Sequence, residues 1–457
     1  MAKLAPSTTP PDRPAFPPGL ENAFWFATFN ALSYPIILNS PMILFAKSLN
    51  ASATVLGIVA GMMPLLVIFQ IPAASHIGRI GYKRFVYAGW GLRVMFIFAL
   101  ALIPLTGGFL SAATQLALLL LLLFCFNLSR GISSAAWLPW ITTLIPESMR
   151  GKFLAREATL VSLANFATLA LAAICLGASP AAWQFSLLFV ISACMGAASL
   201  RYLKRIPDVE VPEAERGSRQ PVPWREIAAY PPFRRFLWFN LAWSIAYGGL
   251  GAFTVAYLKV TGTMAEDRIL LVTGLAFLGG LAGLWLFRTR IDQFGSKPII
   301  SLCLGGWTVI VIGWLALATG LTELTFGKVL VLQLAMGFAV TLVGMNNTRL
   351  AMTLSPVMGR SHFFALYSVV ANLSMGLSPV LWGLAMDAIG DRQFTVQHLE
   401  WTRYSLYFAG ALGAFGVCFA LSLRLVEPKS SPLDHLLRDL LIISPQRSLL
   451  RLWKRGR

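Results

Sequence analysis

Twelve long apolar runs, separated by short stretches rich in charge, glycine and proline, set the plan of this chain. By hydropathy they fall at about 23–46, 53–77, 85–105, 113–145, 154–178, 183–203, 235–258, 269–287, 298–319, 325–355, 361–386 and 403–425. Each approaches or exceeds the ~20 residues that a helix needs to cross a ~30 Å hydrocarbon core. The pattern predicts an all-α membrane protein of 12 transmembrane helices. An even number of spans puts both termini on one side.

The runs are written twice. Phe29-Asn30 returns as Phe239-Asn240, and Phe45-Ala46-Lys47 returns as Tyr257-Leu258-Lys259. Arg79-Ile80-Gly81-Tyr82-Lys83 is answered by Gln293-Phe294-Gly295-Ser296-Lys297. The stretch Pro146–Ala155, with Arg150, is answered by Pro356–Ala365, with Arg360. These landmarks share an offset of about 210 to 214 residues, in one order. An internal repeat in a membrane chain marks a transporter built from two bundles around a midplane site. The expected division is an N-terminal segment at 1–22, a six-helix bundle at 23–203, a linker at 204–234, a second bundle at 235–425 and a tail at 426–457. The linker contains a candidate interfacial helix, Pro223–Ala229. In the tail, leucines from Leu433 to Leu441 recur at helical spacing ahead of a basic end, which suits a segment lying on an anionic leaflet.

Composition agrees. The chain is 57% hydrophobic and 12% charged, with mean hydropathy +0.69, whereas soluble domains carry about 25% charge. The net charge of +18 is distributed as topology requires: with residues at run ends counted to the nearer side, 28 of the Lys and Arg residues fall on the terminal side, 6 opposite and 3 deep within runs. That asymmetry orients both termini to the cytoplasm and implies contact with lipid headgroups, with no nucleic acid as partner. A multi-pass protein of a bacterial inner membrane is expected. The five cysteines lie unpaired in apolar runs and read as packing residues.

On these residues the chain resembles the major facilitator superfamily, over about 22–425. That resemblance implies a loop motif between spans 2 and 3, met here by Gly78-Arg79-Ile80-Gly81-Tyr82-Lys83-Arg84, with Gly78 where an acid belongs. The second copy, Asp292-Gln293-Phe294-Gly295-Ser296-Lys297, keeps the acid. By the family arrangement Asp292 would face the start of span 5 near Arg150 and help close a cytoplasmic gate. His76 and His362, on spans that meet across the halves in the family, form a candidate pH-sensitive pair. The glycine-proline pattern of drug–proton antiporters is missing from span 5, and the acidic residues fall in loops or at span ends, Asp387 coming nearest to an exception.

Charges within a bilayer are costly and mark function by default. Arg93 is expected on a peripheral span, snorkelling. Arg130 and Arg349 lie on spans 4 and 10, which line the central cavity in the family; both are candidate solute contacts, with helix bracing the alternative for Arg130 and service at the gate the alternative for Arg349. Asn30 and Asn240 are a repeat-related pair on spans 1 and 7; with Asn39, Asn127, Asn346 and Asn347 they are expected to form a ring of neutral donors and acceptors, of which Asn30, Asn39, Asn240, Asn346 and Asn347 are candidate solute ligands. Tyr34, Trp137, Trp140, Trp243 and Tyr247 are candidate cavity aromatics. Guanidinium groups and neutral amides without a carboxylate favour a small organic anion.

No nucleophile elbow, metal-spaced cluster or phosphate-binding loop is present, so neither an enzyme nor an ATP-driven pump is expected, and no cofactor. The expected activity is alternating-access transport of a small solute by a monomer. The rival is a non-transporting receptor, scaffold or assembly factor using the same bundle.

Overall fold

A computed structural model describes residues 17–145, 150–209, 229–287, 290–354, 360–427 and 430–440. Among these residues, twelve helices are long and apolar enough to cross a membrane: Glu21–Ser48, Ala53–Ala73, Tyr82–Gly108, Ala112–Ile141, Arg156–Leu176, Ala182–Leu203, Pro231–Thr261, Glu266–Phe287, Ser296–Ala318, Phe326–Ala351, Leu366–Ile389 and Arg403–Leu423. They are spans 1 to 12. Because they alternate in direction, one end of the molecule carries the chain's first and last described residues. We call it the terminal end and its opposite the far end.

In the first half, span 1 packs on spans 5 and 6, and span 3 on spans 4 and 6. In the second, span 10 packs on spans 8 and 9, and span 12 on spans 7 and 9. The halves meet along two seams, span 2 against span 11 and span 5 against span 8. Several close contacts between the halves sit toward the far end. Ser40 Oγ donates to Thr273 Oγ1 (3.1 Å), and the Asp267 amide donates to the Gly177 carbonyl (3.1 Å). Gly57 and Gly61 of span 2 press on the carbonyls of Pro379 and Gly376. A Cβ on either glycine would come within 2.2 Å of one of those oxygens. Close backbone approach of this kind drives helix association where lipid gives no hydrophobic force.

The repeat extends to the kinks. Span 1 is two helices, Glu21–Leu38 and Ser40–Ser48, broken at Asn39 between Pro35 and Pro41. Span 7 breaks at the matching depth into Pro231–Tyr247 and Leu250–Thr261, at Gly248-Gly249. Proline does the work in one half and paired glycines in the other. Gly81 (φ +84°) and Gly295 (φ +87°) occupy equivalent turns between helices at the terminal end. Both conformations disfavour a side chain, which accounts for the glycine at each motif position.

Two features depart from the sequence reading. The loop before span 12 folds as a hairpin, β1 (Phe394–Val396) against β2 (Leu399–Trp401), turning on Gln397 and His398 with positive φ. The tail's first helix, Leu433–Arg438, packs against span 9 with Leu436 fully buried, so its apolar face covers protein. Arg290 Nε meets Asp439 Oδ2 at 3.0 Å, and the Ser431 amide donates to the Phe294 carbonyl (2.9 Å). Glu427 accepts from the amides of Ser296 (3.0 Å) and Lys297 (2.7 Å), capping span 9 from beyond span 12. The linker helix expected at Pro223–Ala229 falls outside the described residues except for its last member.

Candidate functional site

The polar interior of the first half is cationic. Arg93 on span 3 is 1% exposed. Its Nη2 donates to Asn30 Oδ1, and its guanidinium lies over Trp90 (5.4 Å to the ring centre) and Phe126 (5.7 Å), while Nε has no partner. The expected snorkelling is therefore corrected. The side chain turns into the bundle because span 1 offers an amide oxygen and spans 3 and 4 offer aromatic faces. Asn30, a candidate solute ligand, is engaged by this Arg and stays half-buried.

Arg130 lies one helix away on span 4, half-buried and near mid-span. It is within electrostatic reach of both Arg93 and Tyr34. Its carbonyl accepts from Ser133 (3.2 Å), but among the described residues its guanidinium meets no acceptor and no acid. Tyr34 on span 1 is held by the Asn165 amide of span 5 (2.9 Å), whose Oδ1 is buried and unpaired. Spans 1, 3, 4 and 5 thus bring two guanidinium groups, a phenol and an amide together. A guanidinium in low dielectric with neither counter-ion nor acceptor is unstable unless something else supplies negative charge.

The second half answers with neutral groups. Asn347 Nδ2 donates to Asn240 Oδ1 (2.7 Å) and to the Tyr367 hydroxyl (3.0 Å), tying spans 7, 10 and 11. Asn240 Nδ2 in turn donates to the Phe236 carbonyl, and Tyr367 stacks on the Phe236 ring. Asn346 is fully buried and bonds the Leu342 carbonyl, its Oδ1 unpaired. Asn39 sits half-buried at the span 1 break, accepting from Met42 through its carbonyl (3.1 Å). The six amides expected to form one ring, Asn127 among them, are therefore distributed: Asn240 and Asn347 pair, Asn30 joins Arg93, Asn127 and Asn346 donate to carbonyls of their own spans, and Asn39 is engaged through its main chain.

Arg349 goes to the terminal end. Its Nη1 donates to the Ile291 carbonyl in the short helix Arg290–Phe294, so it braces the loop carrying the second motif. Of the other gate candidates, Arg79, Arg84 and His76 are exposed, Lys83 and Lys297 half-buried. The side chains of Arg150, Asp292, Arg360 and His362 lie outside the described residues, as does any contact among them. Trp140 is fully buried and donates to the Pro207 carbonyl (3.0 Å). Trp243 stacks on Tyr247 (5.0 Å) within a cluster containing Trp307 and Phe415, so these aromatics pack the bundles. Among the described residues no group of three or more His, Cys, Asp or Glu converges on a metal position.

Sequence reasoning passed over Asn165 and underrated Arg93. An amide in the apolar run of span 5 was the available signal for the first. For the second there was none, since the apolar run around it marks no inward face.

Comparison with known proteins agrees with this architecture. The chain resembles a mutant form of the nucleoside transporter NupG, with a TM-score of 0.66 at 10% identity, covering 90% of this chain and 100% of that one. It resembles a POT family transporter in complex with 5-aminolevulinic acid (TM-score 0.64, 14% identity, 90% and 95% covered). The inward-open xylose transporter XylE from E. coli also matches (TM-score 0.62, 13% identity, 91% and 96% covered). No curated protein matches the chain in sequence. The model of the Major Facilitator Superfamily matches residues 23–318, well over half of the sequence, and the chain belongs to that superfamily.

Proposed function

We propose that this protein is a secondary or facilitative transporter that moves a small organic anion by alternating access, with Arg130 as its anion-recognising group. The observation that carries the reading is the Arg130 guanidinium: within a membrane span, half-buried, and without a protein acceptor among the described residues. Arg93 behind it reinforces the positive potential, and Tyr34, fixed by Asn165, adds an adjacent hydroxyl. A planar guanidinium suits a carboxylate or phosphate through two parallel hydrogen bonds. The neutral second half then supplies the opposing wall. The similar structures include nucleoside and xylose transporters, so in this fold the residues of the site decide the solute.

The same reading places the bundles at 23–203 and 235–425, joined by a cytoplasmic linker, with both termini cytoplasmic in a bacterial inner membrane. This rests on the Lys and Arg asymmetry. A scaffold without flux has no observation in its favour.

Two experiments test the proposal. Thermal unfolding of the purified protein is measured with mono- and dicarboxylates, organic phosphates, neutral sugars, nucleosides and organic cations, since a ligand of the native state raises apparent stability. Anions should shift the parent and leave Arg130→Ala unshifted. Radiolabelled uptake of the best anion into proteoliposomes then separates transport from binding. A neutral solute that shifts parent and Arg130→Ala equally would overturn the anion reading. Binding without flux would overturn the transporter.

A further inference from the structure

Span 2 starts at Ala53 on the far end of the first half, and its opening turn is completed from the other half. The cap residue, Ser52, satisfies the Val55 amide through its own hydroxyl (3.3 Å). The two amides before that one point at Asp387, near the far end of span 11. Asp387 Oδ1 accepts from Ala53 N (3.0 Å) and Oδ2 from Thr54 N (2.8 Å). A carboxylate on the first amides of a helix meets unsatisfied donors and the positive end of the macrodipole together. Charge-assisted bonds of this type are about twice as strong as neutral ones.

Three features tie this contact to gating. It joins the halves across the most intimate seam of the molecule, where Gly383, one turn before Asp387, would place a Cβ 2.5 Å from the Ala53 carbonyl. Two of its partners are main-chain amides, which stay fixed to the helix when side chains repack, and the Thr54 and Ser52 side chains reach the same carboxylate. Its alternative is also defined. Once the far ends of spans 2 and 11 separate, the amides can be satisfied only by water.

We infer that Asp387 is the far-side latch of this transporter, holding the far gate shut by capping span 2. Lys47 lies within electrostatic reach of Asp387, and of Asp391 and Arg403 beside it. Arg403 is paired with Asp391 at 2.8 Å, while the hydrogen bonds of Asp387 go to the start of span 2. Closure is thus favoured by a bond that exists only when the halves touch.

The test reads the gate directly and needs no solute. Spin labels at Asn50→Cys and Arg392→Cys, both exposed, report the far-side separation of the halves by double electron–electron resonance. The full chain is used with its native cysteines replaced by alanine. Asp387→Ala should move at least about tenfold more of the population to the longer distance, and Asp387→Asn, which keeps shape and loses charge, a smaller share. Ser111→Ala removes a helix cap made within the first half, that of span 4, whose hydroxyl accepts from the Thr114 amide (3.2 Å), and should leave the distribution unchanged. A distribution identical in Asp387→Asn and parent, or a Ser111→Ala shift as large as that of Asp387→Ala, would overturn the inference. If the alanine variant does not fold, the Asp387→Asn and Ser111→Ala pair decides. This outcome is independent of the anion reading, which is tested at Arg130.

Discussion

The two halves share a fold and differ in what they bury. The first holds two guanidinium groups, Arg93 and Arg130, with no acid beside them among the described residues; the second holds Asn240, Asn347 and Tyr367 in one hydrogen-bonded set. A buried neutral network supplies its own partners and fixes geometry. A cation in low dielectric without a counter-ion does neither, and its energetic cost persists. Duplication has thus left one half with unpaired guanidinium charge and the other with a neutral, self-satisfied network.

Four substitutions break or sharpen that contrast. Arg130→Ala carries the largest effect. Losing a charged hydrogen-bonding partner is worth about 1.5–3 kcal/mol, so the dissociation constant of the best anion should rise roughly 10- to 100-fold, read by calorimetric titration. Asn347→Ala acts on the other side. It leaves Asn240 Oδ1 without its donor and should cost about 1–3 kcal/mol of stability, seen as an earlier thermal transition while the affinity of the remaining folded protein holds. Equal losses of affinity in both variants would dissolve the distinction. Arg93→Met replaces a buried cation with an apolar side chain of similar reach. Such exchanges are often neutral or stabilising, so the thermal transition should hold or rise while anion affinity falls a few-fold. Glu427→Gln is the mildest, removing only the charge from the span 9 cap, and should lower stability by about 0.5–1 kcal/mol with uptake kinetics unchanged.

The architecture was legible because a bilayer leaves few options: long apolar runs must be helices, and repeated landmarks must be repeated positions. Gly81 and Gly295 could be matched by eye, and both adopt the backbone that their spacing suggested. The site was less legible. A helix that is apolar all round carries no periodic mark of its inner face, so Arg93 reads as peripheral and Arg349 as either cavity-facing or gating. Their targets, an amide on span 1 and a carbonyl of the short helix Arg290–Phe294, are tertiary facts. Asp387 was hidden differently. It sits near the end of a run, where an acid resembles any solvated loop residue, and its partners are amides that no side-chain pattern announces. The β1–β2 hairpin did leave a trace, in the alternation of Phe394-Thr395-Val396 and Leu399-Glu400-Trp401 around two polar residues.

The caps of spans 2 and 9 also bear on how the molecule is made. The carboxylate that finishes span 2 lies 334 residues after Ala53, and the one that finishes span 9 lies 131 residues after Ser296. A ribosome delivers these helices long before their acceptors exist. Both helix starts must wait, hydrated at the membrane surface, until spans 11 and 12 have emerged. The last part of the chain to be synthesised therefore completes two of the earlier helices, and a protein truncated before Glu427 should insert with span 9 unfinished.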